Sequence, residues 1–137
     1  MVSSLALHYL ADIATVFARI FGTLAPGGRF VFSVEHPVIT SCDRGWQSGP
    51  RQAWLVDDYF AEGPRETAWL GGRVVKYHRT VEAYFAALQR AGFVVDRLRE
   101  AHPRPERFAD EAEFARRKRI PLFLVLAGHK PRSAGPD

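Results

Sequence analysis

The chain contains 137 residues, of which 47% are hydrophobic and 25% are charged, values typical of one soluble globular domain. Its aromatic content of 12% is too high for a disordered chain. The single cysteine, Cys42, excludes an internal disulfide and a cysteine-rich zinc site. The net charge of +4 favours acidic ligands in general without identifying one.

No apolar run approaches the roughly 18 residues that a membrane-spanning helix requires. The first residues also lack the basic and apolar pattern of a secretory signal. The sequence therefore predicts a cytoplasmic protein without a membrane partner.

The first 34 residues predict a βαβ unit. A short apolar run over 1–7 is expected to be a strand, and Asp12 can cap the helix that follows. Apolar residues recur at helical spacing over 13–24, and the turn Pro26-Gly27-Gly28 ends that helix. The apolar segment 29–34 predicts a strand buried on both faces. Such units build parallel sheets with a right-handed crossover.

The middle of the chain predicts an inserted lid over 37–78. Residues 37–66 mix Pro, Gly, Ser, Asp and aromatic residues without a period, which indicates a long irregular loop of the kind that covers a binding site. A β-hairpin is expected next, with strands over 67–70 and 73–78 and the turn at Gly71-Gly72.

The last third of the chain returns to regular helices and strands. We predict one domain over 1–130 and a flexible tail over 131–137. The elements expected here are a helix that begins after Thr80 and ends at Ala91-Gly92, a strand over 93–98, a charged helix over 106–119 and a strand over 121–127.

Polar side chains follow several predicted strands. His8, Glu35, His36 and His78 all lie near strand ends, and ligands of open parallel sheets bind beyond the carboxyl ends of the strands. We expect the three histidines to line a common pocket. The alternative is that each histidine caps a strand end and bonds to nearby backbone.

Other chemistries have weaker support. His8, His36, His78 and Glu35 do not have the spacing of a short metal motif. The sequence contains no Gly-x-Ser-x-Gly elbow, no Gly-x-Gly-x-x-Gly and no Gly-x-x-x-x-Gly-Lys loop. The basic run 116–119 is typical of a solvated helix C-terminus rather than of a nucleic-acid site.

The tryptophans of the insertion allow two interpretations. Trp46, Trp54 and Trp69 all lie within the loop and the hairpin. They could form an aromatic wall over a small ligand or a miniature core of the loop itself.

Five motifs occur in a familiar order. They are the segment 3–10, the run Leu24-Ala25-Pro26-Gly27-Gly28-Arg29-Phe30-Val31-Phe32-Ser33, Glu35-His36-Pro37, the segment 76–80 and the segment 88–93. Together they resemble the C-terminal half of class I S-adenosylmethionine-dependent methyltransferases of the small-molecule type.

The resemblance implies an α/β fold: the C-terminal half of a Rossmann-like methyltransferase sheet. Its strands would resemble 4-5-7-6, with flanking helices, an inserted lid and the final strand antiparallel between its neighbours. The resemblance also implies S-adenosylmethionine as cofactor. The family's Gly-rich cofactor loop precedes the fourth strand, so most of the cofactor site is expected to be absent and the chain to be inactive alone.

The resemblance carries over a few residues of the cofactor and catalytic sites. Ser3, Ser4 and Leu5 match a segment that passes near the methionine end of the cofactor. His8 and His36 match positions that face the acceptor, where either could serve as a base.

It also implies a set of substrate-binding residues for a small-molecule acceptor. Tyr9 and Glu35 match positions that line the acceptor pocket, and the others lie in the insertion that covers the substrate. The set is Tyr9, Glu35, Tyr59, Trp69 and His78.

The first strand would then be an exposed apolar edge, which favours association. We predict a homodimer through this edge and the 13–24 helix, and no nucleic-acid partner. The alternative function is a non-catalytic ligand-binding or dimerisation module derived from a methyltransferase.

Overall fold

The computed structural model describes residues 1–47 and 51–132. The strands are β1 (Val2–Ser4), β2 (Arg29–Glu35), β3 (Trp46–Gln47), β4 (Ala53–Trp54), β5 (Gly63–Trp69), β6 (Gly72–His78), β7 (Val94–Glu100) and β8 (Phe123–His129). The helices are α1 (Ile13–Thr23), α2 (Pro37–Thr40), α3 (Val81–Arg90) and α4 (Glu111–Arg117), with 3₁₀ turns at Leu7–Tyr9 and Pro105–Arg107.

The main sheet has the strand order β1-β2-β8-β7. β1 runs parallel to β2, and β8 is antiparallel to β2 on one side and to β7 on the other. This confirms the expected α/β fold with strands resembling 4-5-7-6 and the last strand between its neighbours. The carboxyl ends of β1, β2 and β7 therefore lie along one edge of the sheet.

Helices α1 and α3 cover one face of this sheet. Asp12 caps α1 by accepting a hydrogen bond from the Thr15 N–H at 3.0 Å, and Thr80 caps α3 by accepting from the Ala83 N–H at 3.0 Å. The core includes Phe17, whose ring lies 5.2 Å from that of Phe32 between centroids. Both helices form where their apolar spacing and caps predict them.

The segment 29–34 is less buried than predicted. Alternate residues of β2 are buried, whereas Arg29 is exposed and the other three, among them Ser33 and Glu35, are half-buried. The expectation of burial on both faces is wrong for the described residues, because α1 and α3 pack on one side only. The half-buried face leaves Glu35 available at the carboxyl edge.

The insertion contains more regular structure than predicted. The hairpin begins at Gly63 rather than at residue 67, and Trp69 pairs with Gly72. The turn is therefore Leu70-Gly71 and not Gly71-Gly72. Both turn residues have positive φ, 45° and 81°, as a two-residue turn of the type I′ class requires. Cross-strand register, which the local sequence does not reveal, decided this shift.

The helix expected over 106–119 is shorter. A 3₁₀ turn over Pro105–Arg107 comes first, and Asp110 then caps α4 by accepting from the Ala112 N–H at 2.9 Å. The prediction missed this second start, since the charged residues on both sides of Asp110 read as one run.

No helix among the described residues is long and apolar enough to cross a membrane. The domain limits 1–130 and the flexible tail remain predictions. Residues 133–137 of that tail lie outside the described residues.

Candidate functional site

The carboxyl end of β1 is an open and strained turn. Leu5 is 39% exposed and has φ of 50°, a conformation that costs a branched residue about 1–2 kcal/mol. Its N–H donates to the Ser33 carbonyl at 2.9 Å and lies 3.2 Å from the Ser33 hydroxyl. Ser4 Oγ lies 3.4 Å from the same hydroxyl. Strain held at a strand end is often associated with a binding site.

His8 lies just beyond this turn and is 1% exposed. Its Nδ1 accepts the backbone N–H of Glu35 at 3.4 Å, so the proton of the neutral ring is assigned to Nε2. Burial lowers the pKa of His8, and the positive charges of Lys76 and Arg79 add to this effect against the opposing charge of Glu35. The neutral imidazole therefore presents an Nε2–H donor, which makes no hydrogen bond to any described residue.

Arg79 fixes the segment that follows His8. Its Nη2 donates to the carbonyl of Leu10 at 2.5 Å and to that of Ala11 at 2.8 Å. Arg79 Nη1 is buried and has no hydrogen-bond partner among residues 1–47 and 51–132. The guanidinium thus ties the end of the hairpin to the segment that leads into α1.

Glu35 and Lys76 form an ion pair at the end of β2. Lys76 Nζ lies 2.8 Å from both carboxylate oxygens, and the side chains are 9% exposed for Lys76 and 21% for Glu35. Hydrogen bonds to both oxygens restrict the rotation of the carboxylate. The pair therefore presents an oriented carboxylate next to the backbone that binds His8.

A cavity of about 140 Å³ adjoins this ion pair. The end of β2, α2, β4 and the β5–β6 hairpin enclose it, with Trp54 on one wall. Trp54 Nε1 donates to the Val38 carbonyl at 2.9 Å. The buried Thr67 hydroxyl, which lines the cavity, has no partner in the part of the chain that the structure describes. An unpartnered buried hydroxyl favours a polar occupant.

His36 has a different environment. Its Nδ1 accepts the Val38 N–H at 3.1 Å, which caps α2, and its Nε2 lies 2.7 Å from Glu100 Oε1. Both ring nitrogens are therefore engaged, with the Nε2–H donating across the sheet edge to β7. The catalytic role of His36 stays a prediction. In the structure, the ring caps α2 and links the end of β2 to the end of β7.

His78 is fully buried beneath the insertion. Its Nε2–H donates to the Tyr59 carbonyl at 2.7 Å, so its Nδ1 accepts from the Thr40 hydroxyl at 2.8 Å. Burial lowers the pKa of His78. The Tyr59 hydroxyl in turn accepts the Val81 N–H at 3.3 Å. His78 and Tyr59 thus join α2, the insertion and α3.

The expectation of one pocket lined by three histidines stays a prediction, and the hydrogen bonds of the three rings do not converge on one point. His8, His36 and His78 each bond to different partners, as the alternative for strand-end histidines predicts. Of the three, His8 is the one that accepts the backbone N–H of Glu35. In the described residues, no group of three or more His, Cys, Asp or Glu is placed to hold a metal ion.

The remaining predicted substrate residues are aromatic. Tyr9 is 43% exposed and its ring lies 4.4 Å from that of His8 between centroids. Trp69 ends β5, and its side chain lies outside the described part of the structure. Trp46 and Trp54 stack edge to face at 5.5 Å. Trp54 therefore packs against Trp46 within the insertion and also lines the cavity beside Glu35.

Two solved structures match nearly the whole chain. An S-adenosylmethionine-dependent methyltransferase of Mesorhizobium loti is 42% identical, with a TM-score of 0.84 over 94% of this chain. A Listeria monocytogenes chain assigned to the same class is 36% identical, with a TM-score of 0.84 over 96% of this chain.

The chain has the class I S-adenosylmethionine-dependent methyltransferase fold. The cofactor implied by the resemblance is S-adenosylmethionine, because the related structures are methyltransferases that depend on it.

The methyltransferase relatives are longer than this chain. It spans 60% of the length of each of the two solved structures. A curated protein of Haemophilus influenzae, described as uncharacterized, is 30% identical over 103 residues, which are 72% of this chain and 41% of that protein. No protein-family model matches the chain.

The end of β1 is where the resemblance places contact with the cofactor. Ser4 and Leu5 are exposed, and β1 pairs on one side only among the described strands. An open turn with accessible backbone groups fits contact with a bound ligand. A Gly-rich cofactor loop is not present in the sequence. The cofactor roles of Ser3, Ser4 and Leu5 stay predictions.

Sequence reasoning missed one prominent side chain of this candidate site, that of Lys76. Lys76 belongs to the segment 76–80, one of the five motifs that resemble the methyltransferases. The alternation of side chains along a strand could have indicated that Lys76 is buried, since Lys76 and His78 lie on the same face of β6, which is buried at both positions. A buried lysine requires a nearby carboxylate, and Glu35 is the partner that only the fold reveals.

Proposed function

We propose that this chain is the acceptor-binding part of an S-adenosylmethionine-dependent methyltransferase that acts on a small molecule. The observation that supports it is the polar site of His8, Glu35 and Lys76 beside a small cavity at the carboxyl edge of the sheet. Such an edge is where this class of sheet binds its ligands. The identity of 36–42% to two methyltransferase structures supports the same activity.

When bound, the cofactor supplies an electrophilic methyl group on a sulfonium, and Ser3, Ser4 and Leu5 would contact it. The chain's own residues then have to align the acceptor and exclude water. The carboxylate of Glu35, held by Lys76, can accept a hydrogen bond from the acceptor. The Nε2–H of His8 can donate one.

The structure favours a positioning role for His8 over that of a base. With Nδ1 accepting a backbone N–H, Nε2 already carries the proton of the neutral ring. Proton removal from an acceptor would need the opposite tautomer and the loss of that hydrogen bond. Tyr9 and the wall of the insertion would then enclose the acceptor.

We further propose that the chain does not bind the cofactor well by itself, since it has no Gly-rich loop. In a longer methyltransferase, the part that this chain does not match would supply that loop. The alternative function is a ligand-binding or dimerisation module without catalysis. A cytoplasmic location is part of the same proposal and agrees with the free thiol of Cys42.

Calorimetric titration with S-adenosylhomocysteine tests the proposal. The chain alone is compared with a chimera in which the unmatched part of the Mesorhizobium loti methyltransferase is joined to it. We expect no heat for the chain and near-micromolar binding for the chimera. Tight binding by the chain alone would contradict the fragment proposal only. A folded chimera that does not bind would contradict the methyltransferase proposal.

The residue roles are tested in the same chimera by the release of S-adenosylhomocysteine with candidate small acceptors. His8→Ala and Glu35→Gln are expected to lower turnover, whereas the control His129→Ala, at the opposite sheet edge, leaves it unchanged. His36→Ala tests the second predicted base. Unchanged turnover in both His8→Ala and His36→Ala would exclude them from catalysis.

A homodimer through the edge of β1 remains a proposal. Val2 is 76% exposed, and the Leu5 N–H and Met1 carbonyl bond to β2. Because strand groups alternate, the Val2 N–H points to the open side. Val2→Pro removes this donor alone. Light scattering should show a dimer for the parent chain and a monomer for the variant, and a monomeric parent would refute the proposal.

A further inference from the structure

A larger cavity lies at the same edge of the sheet, beyond the start of β8. Its volume is about 470 Å³, and the loop after β7 and helix α4 form its walls. Volumes of about 300–1,000 Å³ are typical of sites for small organic ligands. None of the substrate-binding residues predicted from the sequence lines this cavity.

The floor of this cavity is apolar. Phe108, Ile120, Leu122 and Phe123 are among the lining residues, and Phe123 is 37% exposed. Exposed large apolar side chains within a concavity indicate a ligand or partner that covers them. Phe123 is the register partner of Glu35 in the β2–β8 pair, so the cavity begins one strand away from the ion pair.

The cavity also has a strongly cationic lining. Three arginines line it against a single glutamate, Glu113. Glu113 lies 3.4 Å from Arg117, whereas Arg104 and Arg107 form no ion pair within the described ranges. Two exposed guanidinium groups without a paired carboxylate beside an apolar floor suit a ligand that combines negative charge with an apolar body.

We propose that this cavity binds a small amphipathic organic anion, with its apolar body on the Phe108–Phe123 floor and its carboxylate or phosphate between Arg104 and Arg107. Guanidinium groups bind both head groups through paired hydrogen bonds. This binding needs neither cofactor nor methyl transfer, and the inference therefore stands apart from the proposed function. A nucleic acid is a poorer match, since the lining carries two unpaired cations over an apolar surface.

Binding is measured by calorimetry and by amide chemical shifts with decanoate and decyl phosphate, each below its micelle concentration. Decanol and decylammonium are the neutral and cationic probes of equal length. We expect both anions to bind one per chain, at least about tenfold more tightly than decanol, as two ion contacts allow. The shifts should map to residues 101–123. Comparison of the two anions distinguishes a carboxylate site from a phosphate site.

The arginines are tested by the double variant Arg104→Gln/Arg107→Gln. Because both side chains are exposed, the fold should persist, and anion affinity should fall about tenfold while decanol affinity is unchanged. The matched control is Arg19→Gln/Arg90→Gln, on the exposed faces of α1 and α3. Equal affinity for decanol and decanoate, shifts elsewhere, or no effect of the double variant would overturn the proposal. Binding to anionic vesicles without binding to monomeric decanoate would also overturn it.

Discussion

The Glu35–Lys76 ion pair gives a prediction whose size follows from burial. Lys76→Met keeps the length of the side chain but removes the ammonium that lies 2.8 Å from both carboxylate oxygens. Loss of one partner of a buried pair costs about 3–5 kcal/mol, because the other charge is left in a medium of low dielectric. Glu35 retains 21% exposure, so some water can solvate it. We therefore expect the lower end of that range, about 3 kcal/mol.

A double-mutant cycle separates the pair from other contacts of each side chain. Glu35→Gln should cost about as much as Lys76→Met, since it leaves the more buried ammonium but keeps an amide oxygen that can accept one hydrogen bond from it. The double variant Glu35→Gln/Lys76→Met leaves neither charge of the pair. Its cost should fall below the sum of the single costs by about 2 kcal/mol.

The assay is urea unfolding of the four proteins at pH 7.5, followed by circular dichroism. For a chain of this size, 3 kcal/mol corresponds to a fall in Tm of roughly 10 °C. The exposed Lys118→Met is the control and should change the unfolding free energy by less than about 0.5 kcal/mol. A cost below 1 kcal/mol for Lys76→Met, or a coupling near zero, would refute the argument that the fold buries and orients this pair.

Three further predictions follow from backbone strain and from buried histidine. Gly92→Ala should lower the unfolding free energy by about 2–3 kcal/mol, because φ is 103° and a Cβ would lie 2.8 Å from Phe21. The control Gly22→Ala, whose Cβ meets nothing within 4 Å, should raise the unfolding free energy by about 0.5–1 kcal/mol. Equal effects of the two variants in urea unfolding would contradict this reasoning. Leu5→Gly should raise stability by about 0.5–1 kcal/mol by relieving the φ of 50°, and a loss in thermal unfolding would show that the conformation is not strained. Burial holds the pKa of His78 below its ordinary value of 6.5, so the unfolded chain takes up a proton at this residue before the folded chain does. The contribution of neutral His78 to stability is therefore complete above about pH 6.5 and is lost as the pH falls toward the lowered pKa. His78→Gln should therefore reduce the stability difference between pH 7.5 and pH 5.5, with His8 supplying the remainder of the slope, and an unchanged slope would exclude His78 as its source.

Local patterns were sufficient for much of the fold. The caps at Asp12 and Thr80 and the apolar spacing after each predict α1 and α3 directly, because these signals act within one or two helical turns. The strands of the main sheet were likewise recognisable from their apolar runs. Their order came from the resemblance to methyltransferases rather than from the residues alone.

The candidate site was only partly predictable. The sequence placed His8 and Glu35 at strand ends, which are neighbours in a parallel pair. It could not show that His36 and His78 bond elsewhere, because their partners Glu100 and Tyr59 are distant along the chain. The direction in which a strand-end histidine points depends on packing around it.

By itself, the sequence determined the βαβ unit, the helices α1 and α3 and the membership of His8 and Glu35 in one sheet edge, because periodicity, caps and turn residues are local properties. Tertiary structure alone decided the Leu70-Gly71 turn, the Glu35–Lys76 pair and the cavity under Arg104 and Arg107. Each of these depends on which distant segments meet, and the register between strands settles that through packing that no short segment encodes.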